Sequence, residues 1–223
     1  MGSPIAGLQD AIPAIAALGT AAYGLVDGSK ALRGGVSNHG FGYIEQAMRP
    51  FQTALDQIGQ GAAWSMLKAN WLNGVAKSDQ KAAAKGLLRL GLTEATAPEI
   101  ARLTNVDRDA LAAAAQKCAS GTELVQADLN VLGRLDAEFS VILDAAYERA
   151  DQQYRNAARA WASVAAVVLA ILAVWNLGEG NFTLRDFVMA VAIGLVATPL
   201  APVAKDLASS LQAAVTAMTA ARK

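Results

Sequence analysis

Two long apolar runs without a charged residue lie in the C-terminal third of the chain. The first covers the 19 residues from Ala160 to Gly178, and the second covers the 18 residues from Phe187 to Ala204. At about 1.5 Å of rise per residue the first run makes a helix of roughly 28 Å, close to the ~30 Å hydrocarbon thickness of a bilayer. The pattern predicts an all-α integral membrane protein with a two-helix transmembrane hairpin over residues 159–205.

The N-terminal segment, residues 1–29, contains a shorter apolar run. It carries no charge from Ala11 to Val26, and it reaches the length of a membrane span only if Asp10 lies at the membrane surface. This segment predicts either a third membrane helix or a helix buried in a water-soluble bundle.

The region between these runs, residues 30–158, mixes polar and apolar positions with helical spacing and predicts a cytoplasmic helical domain. Within it, Trp64, Leu67 and Trp71 share one helix face. That face packs either in the core of the domain or at a membrane surface, where indole rings settle.

A continuous helical pattern without proline begins near Thr122 and runs through the first apolar run to about Trp175. Its apolar positions ahead of the membrane alternate steps of three and four, as in a coiled coil: Leu132, Leu135, Phe139, Ile142 and Ala146. We expect a stalk that leads directly into the membrane. Two heptads leave open whether this seam joins two copies of the chain or packs within one chain.

Side chains suited to capping helix N-termini stand at Thr93 or Thr96, at Asn105 or Asp107, and at Thr183 with Asp186. A hydroxyl or carboxylate there accepts a hydrogen bond from an otherwise unpaired backbone N–H. Thr183 and Asp186 have the spacing of a capping box, which predicts a sharp start of the second membrane helix.

The segment EIARLTNVDRDAL is similar to the helix-turn-helix pattern of small DNA-binding regulators. Ala101, the turn at Asn105 and Val106, and Leu111 stand at the spacing that this family uses. The resemblance implies a DNA-binding regulator, which the apolar runs would tether to a membrane.

Charge does not favour a nucleic-acid partner. The helix that would contact DNA opens with Asp107 and Asp109, and over the whole chain 19 Lys and Arg balance 19 Asp and Glu. A protein that neutralises phosphates needs a basic surface. We therefore expect membrane lipid and other copies of this chain as partners, and no nucleic acid.

Small residues recur every four positions in the apolar runs. Such stripes let helices approach closely in lipid, where no hydrophobic drive brings them together. The residues predicted at helix contacts are Gly24, Ala166, Ala170, Ala190 and Gly194. We expect them to hold a helix bundle together within or between copies of the chain.

Basic residues flank the two outer ends of the hairpin. Arg149, Arg155 and Arg159 precede the first span, and Lys205 follows the second, while the intervening loop has a single arginine. By the positive-inside rule both ends face the cytoplasm and the loop faces out. This predicts a bacterial inner-membrane location, with residues 206–223 as a cytoplasmic tail.

The segment ATPLAPVAKD at the end of the second run combines two prolines with a charge pair. Pro199 and Pro202 each remove a backbone donor, which predicts a kink. Together with Thr198, Lys205 and Asp206 they form a candidate inner mouth that lines an aqueous vestibule or gate. The alternative is a helix that bends along the membrane surface while Lys205 extends to the headgroups.

Groups for catalysis or metal binding are sparse. The chain has one histidine, His39, and one cysteine, Cys118, and it lacks a nucleophile elbow, an HExxH motif and a phosphate-binding glycine loop. We expect neither an enzyme nor a cofactor or metal site.

These patterns predict a homo-oligomeric membrane assembly that acts as a channel, pore or scaffold. One alternative is a pore-forming helical bundle that hides its hairpin until triggered, and solubility without detergent would distinguish it. The other alternative is the membrane-tethered regulator, which requires a basic surface over residues 107–118.

Overall fold

The computed structural model describes residues 4–29, 35–59, 61–177 and 182–201. The regular structure of these residues is helical, without a strand, so the predicted all-α fold is confirmed. The helices are α1 (Pro4–Gly28), α2 (Asn38–Met48), α3 (Gln52–Asp56), α4 (Ala62–Leu72), α5 (Lys77–Leu90), α6 (Ala97–Thr104), α7 (Arg108–Ser120), α8 (Gln126–Leu177) and α9 (Leu184–Ala201).

These helices belong to two compact units. The first, here called the multihelix unit, is Ser37–Tyr154 and contains α2 to α7 with the first part of α8. The second, here called the three-helix unit, contains α1, the part of α8 from Arg155 onward, and α9.

Large apolar side chains fill the core of the multihelix unit. The α8 helix contributes the buried residues Leu135, Phe139, Leu143 and Tyr147. The Phe139 ring meets the Phe51 ring edge to face, with 5.0 Å between their centroids. The apolar seam of α8 therefore packs within its own chain, which is one of the two arrangements that its spacing allows.

The α4 helix presents its tryptophan face to the same core. Leu67 is buried, and Trp64 and Trp71 pack against the core cluster. The Trp71 indole N–H donates to the Ser37 carbonyl at 2.7 Å, and its ring lies 6.3 Å from the Tyr147 ring. These contacts confirm the core interpretation of this face.

Asp107 caps a helix as predicted, whereas Thr93 and Thr96 bond to each other in the turn before α6, whose N-cap residue makes no side-chain capping hydrogen bond. The backbone N–H groups of Thr93 and Thr96 each donate to the other residue's Oγ1, at 2.8 and 3.2 Å, just ahead of α6. Asp107 caps α7 by accepting from the Ala110 N–H at 2.8 Å. Asn105 takes the left-handed conformation that ends α6, with φ of 50°.

Ion pairs join α5 to α8 along one edge of the multihelix unit. They are Lys77–Glu148, Lys81–Asp144 and Arg89–Asp136. A step of four residues forward along α5 corresponds to a step of four residues back along α8. The two helices are therefore antiparallel and in register along this edge, because residues four apart share a helix face.

Candidate functional site

Small side chains occupy the interior of the three-helix unit. Among the described side chains of its three helices, the buried ones are Ala16, Gly19, Ala22, Ala162, Ala166, Ala170, Ala190, Gly194, Ala197, Thr198 and Ala201. We call this set the alanine–glycine seam.

Two glycines in the seam permit close helix contact. A Cβ built at Gly194 on α9 would lie 2.5 Å from the Cα of Val167 on α8. A Cβ built at Gly19 on α1 would lie 2.9 Å from the Cβ of Ala201 on α9. Both distances are too short for a real side chain, so only glycine allows these backbones to approach as they do.

The structure places four of the five predicted contact residues on this seam, namely Ala166, Ala170, Ala190 and Gly194. Gly24 differs, because it is exposed and a Cβ there would meet no atom of the described residues within 4 Å.

The contact on α1 is made by Gly19 instead of Gly24. A row of residues four apart turns by about 40° per step around the helix axis. By Gly24 the row that starts at the buried Ala16 has turned about 80° to one side, whereas the buried Gly19 and Ala22 lie on the other side, so Gly24 lies about 140° from Gly19 and outside the seam. Small residues also recur at steps of three on the exposed side of α1, at Ala14, Ala17 and Thr20, so the sequence of α1 alone does not identify Gly19.

None of the described large apolar side chains on these three helices is buried: Ile15, Leu18 and Leu169 are partly buried against the seam, and many others are exposed. The exposed ones include Leu25, Trp161, Val164, Val168, Leu172, Trp175, Leu184, Phe187, Val188, Met189, Leu195 and Val196. The multihelix unit differs, since large apolar side chains form its buried core, although some, such as Leu90 and Val141, are exposed.

Among the described residues, α8 and α9 are the helices long and apolar enough to cross a membrane. In the most apolar 18-residue window of each helix, 17% of α8 and 28% of α9 is buried. The core helix of a water-soluble protein would be mostly buried, so these windows do not have the environment of a soluble core.

The start of α9 shows the predicted capping box. The Thr183 N–H donates to the Asp186 carboxylate at 3.0 Å, and the Asp186 N–H donates to Thr183 Oγ1 at 3.3 Å. Beside the box, the ring of Phe182 lies 6.2 Å from the Trp175 ring and 6.4 Å from the Phe187 ring. An aromatic cluster therefore surrounds the beginning of α9 and the end of α8.

The candidate inner mouth is described in part. Thr198 is buried, and its Oγ1 has no hydrogen-bond partner among the described residues. Pro199 is an exposed residue inside α9, which continues to Ala201. Pro202, Lys205 and Asp206 lie outside the described residues.

Other residues considered for chemistry are dispersed. His39 and Cys118 are both exposed. Within the described ranges, no group of three His, Cys, Asp or Glu side chains could hold a metal ion.

The segment that resembles a helix-turn-helix forms the α6–α7 pair. Ala101 and Leu111 are buried, as such a pair requires. Asp107 and Asp109 are exposed at the start of α7, where the resemblance would place DNA contacts. This end of α7 presents carboxylates, which repel phosphate.

Comparison with protein-family models, with curated proteins and with solved structures gives no match for this chain. The contacts and exposures described above are therefore what supports a function.

Proposed function

We propose that the three-helix unit lies in a lipid bilayer and that the chain acts as a homo-oligomeric membrane scaffold, with the multihelix unit in water. The apolar runs then form a transmembrane hairpin, with α1 as a third membrane helix. The arginines ahead of the first span favour a bacterial inner membrane with both ends of the hairpin in the cytoplasm.

The observation that carries this proposal is the reversal of side-chain size between the two units. Water drives large apolar side chains inward, as in the multihelix unit. In a bilayer this hydrophobic drive is absent, because lipid tails are themselves apolar. Helices there associate instead through close backbone packing at small residues. The alanine–glycine seam with exposed Val, Leu, Phe and Trp around it is the arrangement expected in lipid.

The low burial of the α8 and α9 windows favours constitutive insertion over a hairpin hidden until triggered. A hidden hairpin would cover its apolar faces with other helices. Exposed apolar patches of that extent on a soluble protein mark an interaction or membrane surface.

A scaffold fits the seam better than a pore inside one copy of the chain. The seam consists of alanine, glycine and one threonine in close contact, which provides no polar lining for ions. We expect no conductance from the purified protein in planar bilayers across voltage and pH. Conductance whose ion preference changes in Lys205→Glu would instead favour a channel with the candidate inner mouth as its lining.

The exposed face of α1 supports contact between copies. Thr20, Gly24 and Gly28 lie four residues apart, and a Cβ at either glycine would meet no described atom within 4 Å. This face allows the close approach of another helix.

Membrane insertion is tested by fractionation. We expect the full chain to remain with membranes after alkaline carbonate extraction and to require detergent for solubility. Recovery mainly in the soluble fraction without detergent would contradict constitutive insertion and favour the conditionally inserting bundle.

Self-association is tested by mass measurement of the detergent-solubilised protein. We expect Gly24→Leu to reduce the oligomer to a smaller species, because the added side chain blocks helix approach. The matched control is Leu172→Ile, which changes an exposed apolar position without changing its volume. An unchanged oligomer in Gly24→Leu would exclude this face of α1 as the contact.

Orientation is tested by cysteine labelling after the exposed Cys118 is changed to Ser. A membrane-impermeant reagent should label Asn181→Cys on intact cells and should label Lys223→Cys only after lysis. The opposite result would reverse the orientation.

A further inference from the structure

Three aromatic rings meet where α8 ends and α9 begins, and we call Trp175, Phe182 and Phe187 the aromatic cluster. The Phe182 ring contacts both of the others: it is stacked on Trp175 of α8 and meets Phe187 of α9 edge to face. Trp175 is 61% exposed and Phe187 is 42% exposed. The cluster therefore ties the two helices together and still presents ring surface to its surroundings.

The surface changes from apolar to polar at the aromatic cluster on both helices. On α8, Trp175 follows an apolar stretch and directly precedes the polar, exposed Asn176. On α9, Phe187 directly follows Asp186, whose carboxylate accepts from Thr183 Oγ1 at 2.6 Å, and it directly precedes the exposed Val188. The ring contacts through Phe182 bring these two changes in polarity close together.

We propose that the aromatic cluster lies at the depth where phospholipid headgroups meet hydrocarbon and that it holds the end of α8 and the start of α9 there. This inference rests on the proposed membrane location of the three-helix unit. An indole combines an apolar ring with one polar N–H, and tryptophan is accordingly enriched at this boundary of a bilayer. The bilayer boundary is planar, so it requires the change in polarity at the same depth on neighbouring helices. A protein partner has no such requirement.

The depth of Trp175 is measured by fluorescence quenching of the full-length protein. The protein is reconstituted in phosphatidylcholine vesicles whose acyl chains carry bromine either near the headgroup or near the bilayer centre. The difference in emission between wild type and Trp175→Phe isolates the Trp175 signal, because both proteins share the remaining tryptophans. We expect Trp175 to be quenched more strongly by the bromine near the headgroup.

The matched control places an indole deeper on the same helix. Leu172→Trp combined with Trp175→Phe moves it three residues back along α8, about 4.5 Å, to a position that is 56% exposed. We expect this indole to be quenched relatively more by the bromine near the bilayer centre than Trp175 is.

The holding role of the cluster is tested at Phe182. Phe182→Ala removes the ring that contacts both helices, and it should reduce the difference between the two quenchers at Trp175. Phe182→Tyr keeps the ring and should keep the difference. An unchanged difference in Phe182→Ala would contradict the holding role.

Two outcomes at Trp175 would overturn the proposal. Stronger quenching by the central bromine would place the cluster within the hydrocarbon. Absence of quenching by either lipid, in a chain that stays with membranes after carbonate extraction, would show that water or another protein copy surrounds the cluster. A chain that carbonate extraction releases into the soluble fraction would instead contradict the membrane location itself, and the boundary proposal would fail with it.

Discussion

Lys81 on α5 donates a hydrogen bond to the carboxylate of Asp144 on α8 at 2.5 Å, and this contact is one of the ion pairs in the row between these two helices. The hydrogen bond from Lys81 holds the pKa of Asp144 below its ordinary value of 3.8. A carboxylate with a lowered pKa in the folded state contributes stability above its unfolded pKa, and this contribution is lost as the pH falls through the folded value. The multihelix unit should therefore lose stability as the pH falls below about 3.8.

The variant Asp144→Asn tests this pH dependence. We expect it to be less stable than wild type at pH 7 and to show a weaker loss of stability below pH 4, measured by near-ultraviolet circular dichroism in detergent. Glu94→Gln, at an exposed carboxylate in the loop before α6, is the control that should keep the acid dependence of wild type. An acid profile of Asp144→Asn identical to that of wild type would contradict the assignment.

The row of ion pairs between α5 and α8 lacks an acidic residue at one position on α8. Lys85 lies four residues after Lys81 on α5, and the corresponding position on α8, four residues before Asp144, is Ser140. We expect Ser140→Glu to add a fourth ion pair and to raise the free energy of unfolding by about 0.2–1 kcal/mol at low salt. Ser140→Gln, which has the same length without the charge, should not show this gain, and a gain of equal size in both variants would exclude an electrostatic origin.

Tyr147 buries its hydroxyl group in the multihelix core without a hydrogen-bond partner among the described residues. An unpaired buried hydroxyl costs about 1–3 kcal/mol, so Tyr147→Phe should leave the thermal midpoint of the multihelix unit unchanged or raise it. Tyr43→Phe, at an exposed tyrosine, controls for the general effect of losing a hydroxyl. A clear loss of stability in Tyr147→Phe alone would show that the hydroxyl has a partner.

The same residue predicts an alkaline effect. Burial raises the pKa of Tyr147 from 10.0 to about 12. A group whose pKa is raised on folding leaves stability intact below its unfolded value, and stability is lost as the pH rises from that value through the folded one. Wild type should therefore lose stability between pH 10 and 12, and Tyr147→Phe should lose less, as measured by denaturant midpoints at each pH.

Gly194 and Gly133 form a matched pair of helix glycines. A Cβ at Gly194 would overlap Val167, whereas a Cβ at Gly133 on α8 would meet no described atom within 4 Å. We expect Gly194→Ala to destabilise the three-helix unit by about 1–3 kcal/mol through overpacking. Gly133→Ala should stabilise the multihelix unit by about 0.5–1 kcal/mol through reduced backbone entropy. Thermal unfolding in detergent compares the two, and equal effects would contradict close packing at Gly194.

Local chemistry made several features predictable from the sequence. The caps at Asp107 and at Thr183 with Asp186 depend on residues three positions apart, and the apolar lengths of α8 and α9 depend on composition alone. Both signals lie within one helix, where spacing determines geometry.

Contacts between helices that are distant in the sequence were not predictable. Lys77 and Glu148 are 71 residues apart, and nothing near either residue identifies the other as its partner. Whether Gly19 or Gly24 contacts α9 likewise depends on the side from which α9 approaches α1. The spacing of small residues along α1 does not indicate that side.

The opposite placement of large side chains in the two units has a consequence for how the chain unfolds. Urea weakens the burial of apolar groups from water, so, given the proposed membrane location, it should unfold the multihelix unit and leave the helices of the three-helix unit largely intact. Harsh detergent, which competes for helix–helix contacts, should separate those helices instead. The chain should then unfold in two transitions with separate free energies, so a single unfolding midpoint does not describe its stability.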